Sequence, residues 1–355
     1  MVHLHRPRLR RRRQPARVTV VIPCYNYGHY LEGGIRSVVE QSEIDADVIV
    51  VDDASPDGSG GVADELARAD SRVYVVHHEQ NKGHIATYND GLARAQGEFV
   101  VLLSADDLLS PGALFRAVSL FDAHPSVGMV YGRCQNFNED PPATPVRRTH
   151  SWTVWSGQEW LATRFRRGFN SVTSPEVVLR TGIQREIGLY DPALPHTGDL
   201  DMWLRAAAVA DVGRINGPAQ AYRRLHGTNM SNVVFGAPIK DIEGRWAAFR
   251  SVLSSGLLDG RDFPLNRDVR RALATDALDF CVFLYLDGRT DTPEIAALIA
   301  LAEGLCPTAR QLRPARELAL LKRGTAGAQV LQALYAGNRA LRWRLRWKWW
   351  ELAGT

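Results

Sequence analysis

Val18 to Ile22 is an unbroken run of β-branched residues closed by Pro23 (VTVVIP). A strand with one wet face would alternate apolar and polar residues, so this one must be buried on both faces. That is the condition of a strand inside a parallel sheet covered by helices. Similar segments return at Asp47–Val51 (DVIVV), Val73–His77 and Glu98–Leu103. Between them, Leu31, Ile35, Val38 and Val39 set helical spacing over Tyr30–Gln41, and helices are expected near Gly61–Ala69 and over Ile85–Ala95. Strands alternating with helices predict an α/β fold with a mostly parallel sheet and helices on both faces. Such sheets bind ligands beyond the carboxyl ends of their strands. Pro23-Cys24-Tyr25, Asp52-Asp53 and Asp106-Asp107 all fall at strand ends. Three polar clusters therefore converge on one rim.

Beyond a helix over Pro111–Phe121 the chain turns mixed and rich in aromatic residues and proline, and helical spacing resumes from Asp199 to Ala210. After Pro238 strand signals fade. Ile242–Leu253, Val269–Leu286, Pro293–Leu305 and Ala315–Leu341 read as helices separated by glycine or proline. The expected organisation is a basic tail over 1–17, an α/β domain over 18–236 and an all-helical C-terminal region over 237–355 that ends in a basic, Trp-rich helix.

Charge supports that division. Residues 1–17 carry seven arginines and no acid, and 339–355 carry four arginines and Lys348 against Glu351. The formal total is +4, which leaves residues 18–338 at −7 once the +7 and +4 ends are set aside. An acidic body with two basic ends is not a nucleic-acid groove. With 45% hydrophobic and 23% charged residues the composition excludes a disordered or fibrous chain. The longest apolar runs fall far short of the ~20 residues a membrane span needs, and the basic N-terminus lacks the apolar core of a signal peptide. Cys24, Cys134, Cys281 and Cys306 are far apart and show no metal-ligand spacing, so reduced thiols and a cytoplasmic setting are expected.

Each polar cluster has a functional and a bland reading. Asp52-Asp53 can accept from a base N–H or a ribose hydroxyl, or can cap the next helix together with Ser55 and Asp57. Asp106-Asp107 are two adjacent carboxylates that must be solvated or share a cation. Hard oxygens of this kind suit Mg²⁺ or Mn²⁺ completed by substrate phosphates, and the alternative is a cap for the helix after Pro111. Asp199 and Asp201 open a helix, where a carboxylate either caps or serves as a general base. His226 is a lone histidine, structural or a ligand. Trp152, Trp155, Trp160 and Trp203 offer flat faces for an acceptor, or fill a core. Gly58-Ser59-Gly60-Gly61-Val62-Ala63 fits a dinucleotide fingerprint but follows the second strand, five residues late, which argues against that use.

The motifs VVIPCYNYGHYLEGGIRSVVEQS, VIVVDDASPDGS, NKGHIATYNDGLARAQGEFVVLLSADD, GDLDMWLR and YRRLHGTNMS, in that order over residues 18–232, resemble family 2 glycosyltransferases of the GT-A fold. The resemblance implies an inverting transfer of a single sugar from a nucleotide-sugar donor, a UDP-sugar by family default, to an acceptor hydroxyl of a glycan, a lipid-linked sugar or a small molecule. It implies that Pro23 and Tyr25 line the nucleoside pocket and that Asp53, with Asp52 beside it, meets the base edge. Asp106 and Asp107 would correspond to the DxD element, one reaching the ribose and one a Mn²⁺ or Mg²⁺ ion, and His226 to the histidine that reaches the metal or the diphosphate. Asp199 would be the catalytic base. Ser104 stands where the family often has a further acid, so which of the two aspartates ligates the metal stays open. Gly198 stands where the family usually has Glu. A sugar-1-phosphate nucleotidyltransferase and a non-catalytic binding protein are the alternatives, but the first would need a cationic phosphate loop, and PCYNYGHYLEGG has no Lys or Arg. The C-terminal segment Asn338–Trp350 (NRALRWRLRWKWW) reads either as an interfacial helix at the inner face of a membrane or as a helix whose Trp residues dock onto the helical C-terminal region or a second copy of the chain.

Overall fold

The computed structural model describes residues 3–140, 148–227, 238–258, 262–290, 292–324 and 329. The chain divides into two compact units, one of residues up to 161 with 172–229, the other of 162–171 with residues from 230 onward. The sequence does not announce the excursion of 162–171 into the second unit.

The first unit begins with β1 (His3–His5), β2 (Ala16–Cys24), α1 (Gly28–Val39), β3 (Ile44–Asp52), α2 (Ser59–Ala69), β4 (Val73–His77), α3 (His84–Arg94) and β5 (Phe99–Leu102). It continues with β6 (Leu108–Leu109), α4 (Ala113–Ala123), β7 (Val127–Phe137) and β8 (Ser151–Trp155). α5 (Gly157–Arg167) then carries the chain into the second unit, and after its return come β9 (Val178–Arg180), α6 (Thr181–Ile187), α7 (Gly198–Val209) and β10 (Asp211–Arg224). Among the described residues the strands form one sheet in the order β1-β8-β10-β7-β9-β5-β2-β3-β4, with β6 against β10. β2 pairs in parallel with β3 and β5, and β3 with β4, as the β-branched runs require. Short β9 is antiparallel to both β5 and β7, which turns the sheet from a parallel half into a mixed one.

Val18, Val20, Ile22, Val48, Val50, Phe99 and Val101 are buried against Leu31, Ile35 and Val38 of α1 and Leu114, Ala117, Val118 and Phe121 of α4. Each fully buried Val, Leu or Phe contributes roughly 1.5–3 kcal/mol, so this layer fixes the strand ends in place. Trp152, Trp155, Trp160 and Trp203 are also buried. They are core residues, not faces offered to an acceptor. The four cysteines are free thiols.

Part of the basic N-terminal segment is tied to the sheet. β1 adds to the sheet beside β8, with His3 opposite Val154 and His5 opposite Trp152. Arg12 then donates to both Glu98 and Asp122, with Nη1 2.6 Å from Glu98 Oε2 and Nε 2.9 Å from Asp122 Oδ2. The composition gave no hint of these distant acids.

The second unit is helical where it is described: the later turns of α5, then α8 (Pro238–Ser254), α9 (Asp262–Leu286), α10 (Pro293–Leu305) and α11 (Arg313–Lys322). Phe165 stacks edge-on against Phe249, and buried Arg245 bridges Asp241, Asp276 and the Gly168 carbonyl. No helix of the described residues is long and apolar enough to cross a membrane. The Trp-rich stretch Asn338–Trp350 lies outside the described residues.

Candidate active site

The parallel strands end together. Asp53 N donates to the Cys24 carbonyl and Leu103 N to that of Val21, each at 2.9 Å, so the loops after β2, β3 and β5 emerge side by side. Pro23 sits in register with Val51 at this edge. Tyr25 stands 44% exposed on the rim, an available aromatic face. Asn26 next to it adopts φ 61° and its amide donates to Ser55 Oγ, closing one loop onto the next.

The two aspartates after β3 divide their work. Asp52 turns toward α2: Oδ1 accepts from Ser55 N at 3.4 Å and Oδ2 lies 3.5 Å from His77 Nδ1. A Cβ on Gly60 would come within 2.8 Å of that Oδ2, so the glycine stretch makes room for an aspartate and not for a pyrophosphate. Asp53 is buried and densely bonded. Its Oδ1 accepts from Lys82 N at 2.8 Å and lies 2.7 Å from His78 Nδ1, while Oδ2 accepts from Gly83 N at 2.9 Å. Gly83 takes φ +83°, a conformation that L side chains avoid, and this aims its N–H at the carboxylate. Burial works against the Asp53 charge, but the Lys82 amide, His78 and the Gly83 amide outweigh it and hold the carboxyl below its ordinary range.

Asp106 and Asp107 are both buried beyond β5. Asp106 Oδ2 meets His226 Nε2 at 2.9 Å, and Asp107 Oδ1 accepts from Arg224 N at 2.9 Å. Burial, then the neighbouring Asp106 charge, push the Asp107 carboxyl well above its ordinary range. Two carboxylates in this state are the chemistry that a divalent cation would relieve, and oxygen donors are the kind that Mg²⁺ and Mn²⁺ take. Among the described residues no group of three or more His, Cys, Asp or Glu gathers to hold an ion unaided. A cation held by these carboxylates would need further ligands, such as substrate phosphates. Around His226 stand Tyr30, stacked at 5.9 Å, and Tyr27, edge-on at 5.7 Å.

Asp199 occupies the first turn of α7. Ser174 Oγ donates to its Oδ2 at 2.6 Å and the Tyr190 hydroxyl to its Oδ1 at 3.0 Å. Burial raises its pKa despite these two donors. A carboxylate so placed is held in one orientation by its two partners. Asp201, two residues on, is different. It pairs with Arg205, whose guanidinium also donates to the carbonyls of Ile187 and Leu189. This buried pair ties α6 to α7 and has no free role.

Two residues absent from the sequence reading join these groups. Tyr88 on α3 feels the charges of Asp199, Asp106 and Asp107, which add to burial in raising its hydroxyl pKa. Its ring packs edge-on against Tyr190 and His84. Arg223 at the end of β10 lowers the pKa of both Asp107 and Asp199. Asp199 and the aspartate pair therefore lie within electrostatic reach of the same two side chains. Ser174 and Tyr190 were hidden, since neither lies in a motif and they stand 25 and 9 residues from Asp199. Tyr88 and Arg223 were nearer to legible, standing inside NKGHIATYNDGLARAQGEFVVLLSADD and YRRLHGTNMS.

Comparisons with known proteins bear on the family and the fold. Residues 19–180 match the sequence profile described as Glycosyl transferase family 2. The chain carries a family 2 glycosyltransferase domain. GlyG, a glycosyltransferase of Streptococcus pneumoniae serotype 4, is 32% identical over 117 residues, 32% of this chain and 39% of that protein. The putative teichuronic acid biosynthesis glycosyltransferase TuaG of Bacillus subtilis is 39% identical over 90 residues, 25% of this chain and 36% of its own. The match thus spans less than two fifths of the length of these curated relatives. The crystal structure of S. aureus TarS 1–349 in complex with UDP-GlcNAc superposes with a TM-score of 0.62 over 87% of this chain and 92% of that one, at 18% identity. At that identity the likeness is one of fold, and it identifies the glycosyltransferase domain as GT-A.

Proposed function

We propose that the glycosyltransferase domain moves a single sugar from a nucleoside-diphosphate sugar, a UDP-sugar, to an acceptor hydroxyl with inversion. The observation that carries the reading is the shared neighbourhood of Asp199 and the Asp106-Asp107 pair, linked through Tyr88 and Arg223. It supports a reading in which Asp199 accepts a proton beside a diphosphate held near Asp106 and Asp107.

The chemistry follows from the parts. Tyr25 covers one face of the nucleoside, and Asp53 accepts from its base edge. Asp106, Asp107 and His226 would hold a Mn²⁺ or Mg²⁺ ion. When bound, such an ion offsets the charge that develops on a leaving diphosphate. Asp199 removes the proton from the acceptor hydroxyl as its oxygen attacks the anomeric carbon from the face opposite the leaving group. The C–O bond to the diphosphate breaks as the new glycosidic bond forms, and a single displacement inverts the centre. Burial keeps Asp199 basic enough for this step, and Ser174 and Tyr190 fix the direction in which it accepts. The UDP-GlcNAc complex of TarS supports the donor class. A lipid-linked acceptor presented at an anionic membrane surface would suit the basic, Trp-rich Asn338–Trp350 segment.

Incubation with a panel of UDP-, dTDP- and GDP-sugars, Mn²⁺ and candidate acceptors tests this, with the product anomer read by NMR. Inverted product or slow inverting hydrolysis is expected. Neither turnover nor nucleotide binding with any donor would overturn the reading.

A further inference from the structure

At the end of β4, a buried imidazole connects the candidate nucleoside carboxylate to the outside of the molecule. The His78 side chain is 1% exposed, with Nδ1 2.7 Å from Asp53 Oδ1 and Nε2 2.9 Å from Asp90 Oδ2. Asp90 stands on α3 and is gripped in turn by Arg94, whose Nη1 donates both to its carboxylate and, at 2.8 Å, to its carbonyl. Both carboxyls are held below the ordinary range. For Asp90, burial opposes this and Arg94 and His78 outweigh it.

Carboxylate geometry explains what this chain does. Two oxygens offer about four acceptor positions. On Asp53, His78 and Lys82 N fill Oδ1, and Gly83 N takes one position on Oδ2. One acceptor position is left. It is aimed by a group that cannot rotate, because all three donors would be lost together. A base edge that presents a single N–H therefore meets a fixed acceptor in place of a freely turning side chain.

We propose that His78 is a positioning residue for nucleoside recognition: its Nδ1 locks the Asp53 carboxylate so that one Oδ2 acceptor faces the base, while Asp90 fixes the ring from behind. The assignment rests on the nucleotide-sugar reading above, and it concerns donor affinity, not the chemical step. His78 touches no substrate.

Two conservative variants separate this role from simple strand-to-helix bracing. The amide of His78→Asn overlays Nδ1 and keeps a donor to Asp53. The amide of His78→Gln overlays Nε2 and keeps a donor to Asp90. Titration calorimetry with UDP, dTDP, GDP and CDP in Mn²⁺, steady-state kinetics and thermal melts would be run on wild type, His78→Asn, His78→Gln and His78→Ala. The expected result is a nucleotide Kd and donor KM raised about tenfold or more in His78→Gln and His78→Ala, with kcat at saturating donor within about threefold. His78→Asn should retain affinity within about threefold. If His78→Gln keeps affinity while His78→Asn loses it, or if affinities follow melting temperature alone, bracing through Asp90 is the role and the proposal falls. If wild type binds and His78→Ala binds equally well, His78 has no part in recognition. Wild type that binds no nucleotide overturns the nucleotide-sugar reading itself, and this assignment with it.

Discussion

His226 Nε2 lies 2.9 Å from Asp106 Oδ2, joining residues 120 positions apart. The contact fastens the chain after β10 to the loop after β5 and places an imidazole beside two buried carboxylates. Removing an imidazole that orients or ligates a metal site commonly costs 10–100-fold in metal affinity. His226→Ala should therefore weaken UDP binding in Mn²⁺ by about that factor while leaving metal-free binding nearly unchanged. Asp107→Ala should show the same asymmetry, and EDTA should abolish transfer. Equal loss with and without metal, by calorimetry, would mean that these residues serve the fold alone.

Asp199→Asn should retain nucleotide binding while transfer falls by roughly 10²–10⁴, the usual scale for loss of a general base. The sign of the pH effect follows from its surroundings. Burial raises the Asp199 pKa, whereas the Ser174 and Tyr190 hydroxyls stabilise the charged form. Removing either hydroxyl should push the pKa higher still. Tyr190→Phe and Ser174→Ala should thus move the acid limb of the kcat/KM profile to higher pH. A limb that stays put or moves down would remove Asp199 from that role.

Glu176 couples stability to pH. Its carboxyl is buried and pushed up to about 7 by that burial, although the Thr173 amide and hydroxyl both donate to it. An acid with a raised folded-state pKa binds more protons folded than unfolded, so stability declines as pH rises from about 4.5 to 7 and is level above. Glu176→Gln keeps the acceptor oxygen and removes the titration. It should leave melting nearly unchanged at pH 4.5 and stabilise the protein at pH 8 by on the order of 1–3 kcal/mol. Equal effects at both pH values would contradict the assignment.

Arg12 holds the N-terminal segment to Glu98 and Asp122 through a shared, partly buried ion-pair network. Networks of this kind exceed isolated surface pairs, so Arg12→Ala should cost about 1–2 kcal/mol. The loss should shrink in 1 M salt. Hydrogen exchange at residues 3–17 should rise in the variant, and unchanged protection would mean that β1 pairing alone anchors the segment.

The segment Asn338–Trp350 makes a separate prediction. Full-length protein should co-sediment with anionic but not neutral liposomes at low salt, and a chain ending at Gly337 should not. Equal binding by the truncated chain would exclude this segment as the anchor.

Sequence alone determined the parts of this protein that are set within a short window. β-branched runs fix doubly buried strands, helical spacing fixes α1 and α3, and Pro23, Asp53 and Asp106 were placed at a rim because strand ends in a parallel sheet must share one. β10 was invisible, since DVGRINGPAQAYRR mixes charge, glycine and proline, and it becomes a strand only through its neighbours β7 and β8. The same distinction separates Asp199 from Asp201. Both open one helix in one motif, yet Ser174 and Tyr190 meet the first and Arg205 the second. Tertiary structure decided which acid faces the site, which is locked in a buried pair, and that His78 stands behind Asp53. Hydrogen bonds reach only about 3 Å, and the residues that come that close are chosen by packing across the sheet, not by spacing along the chain.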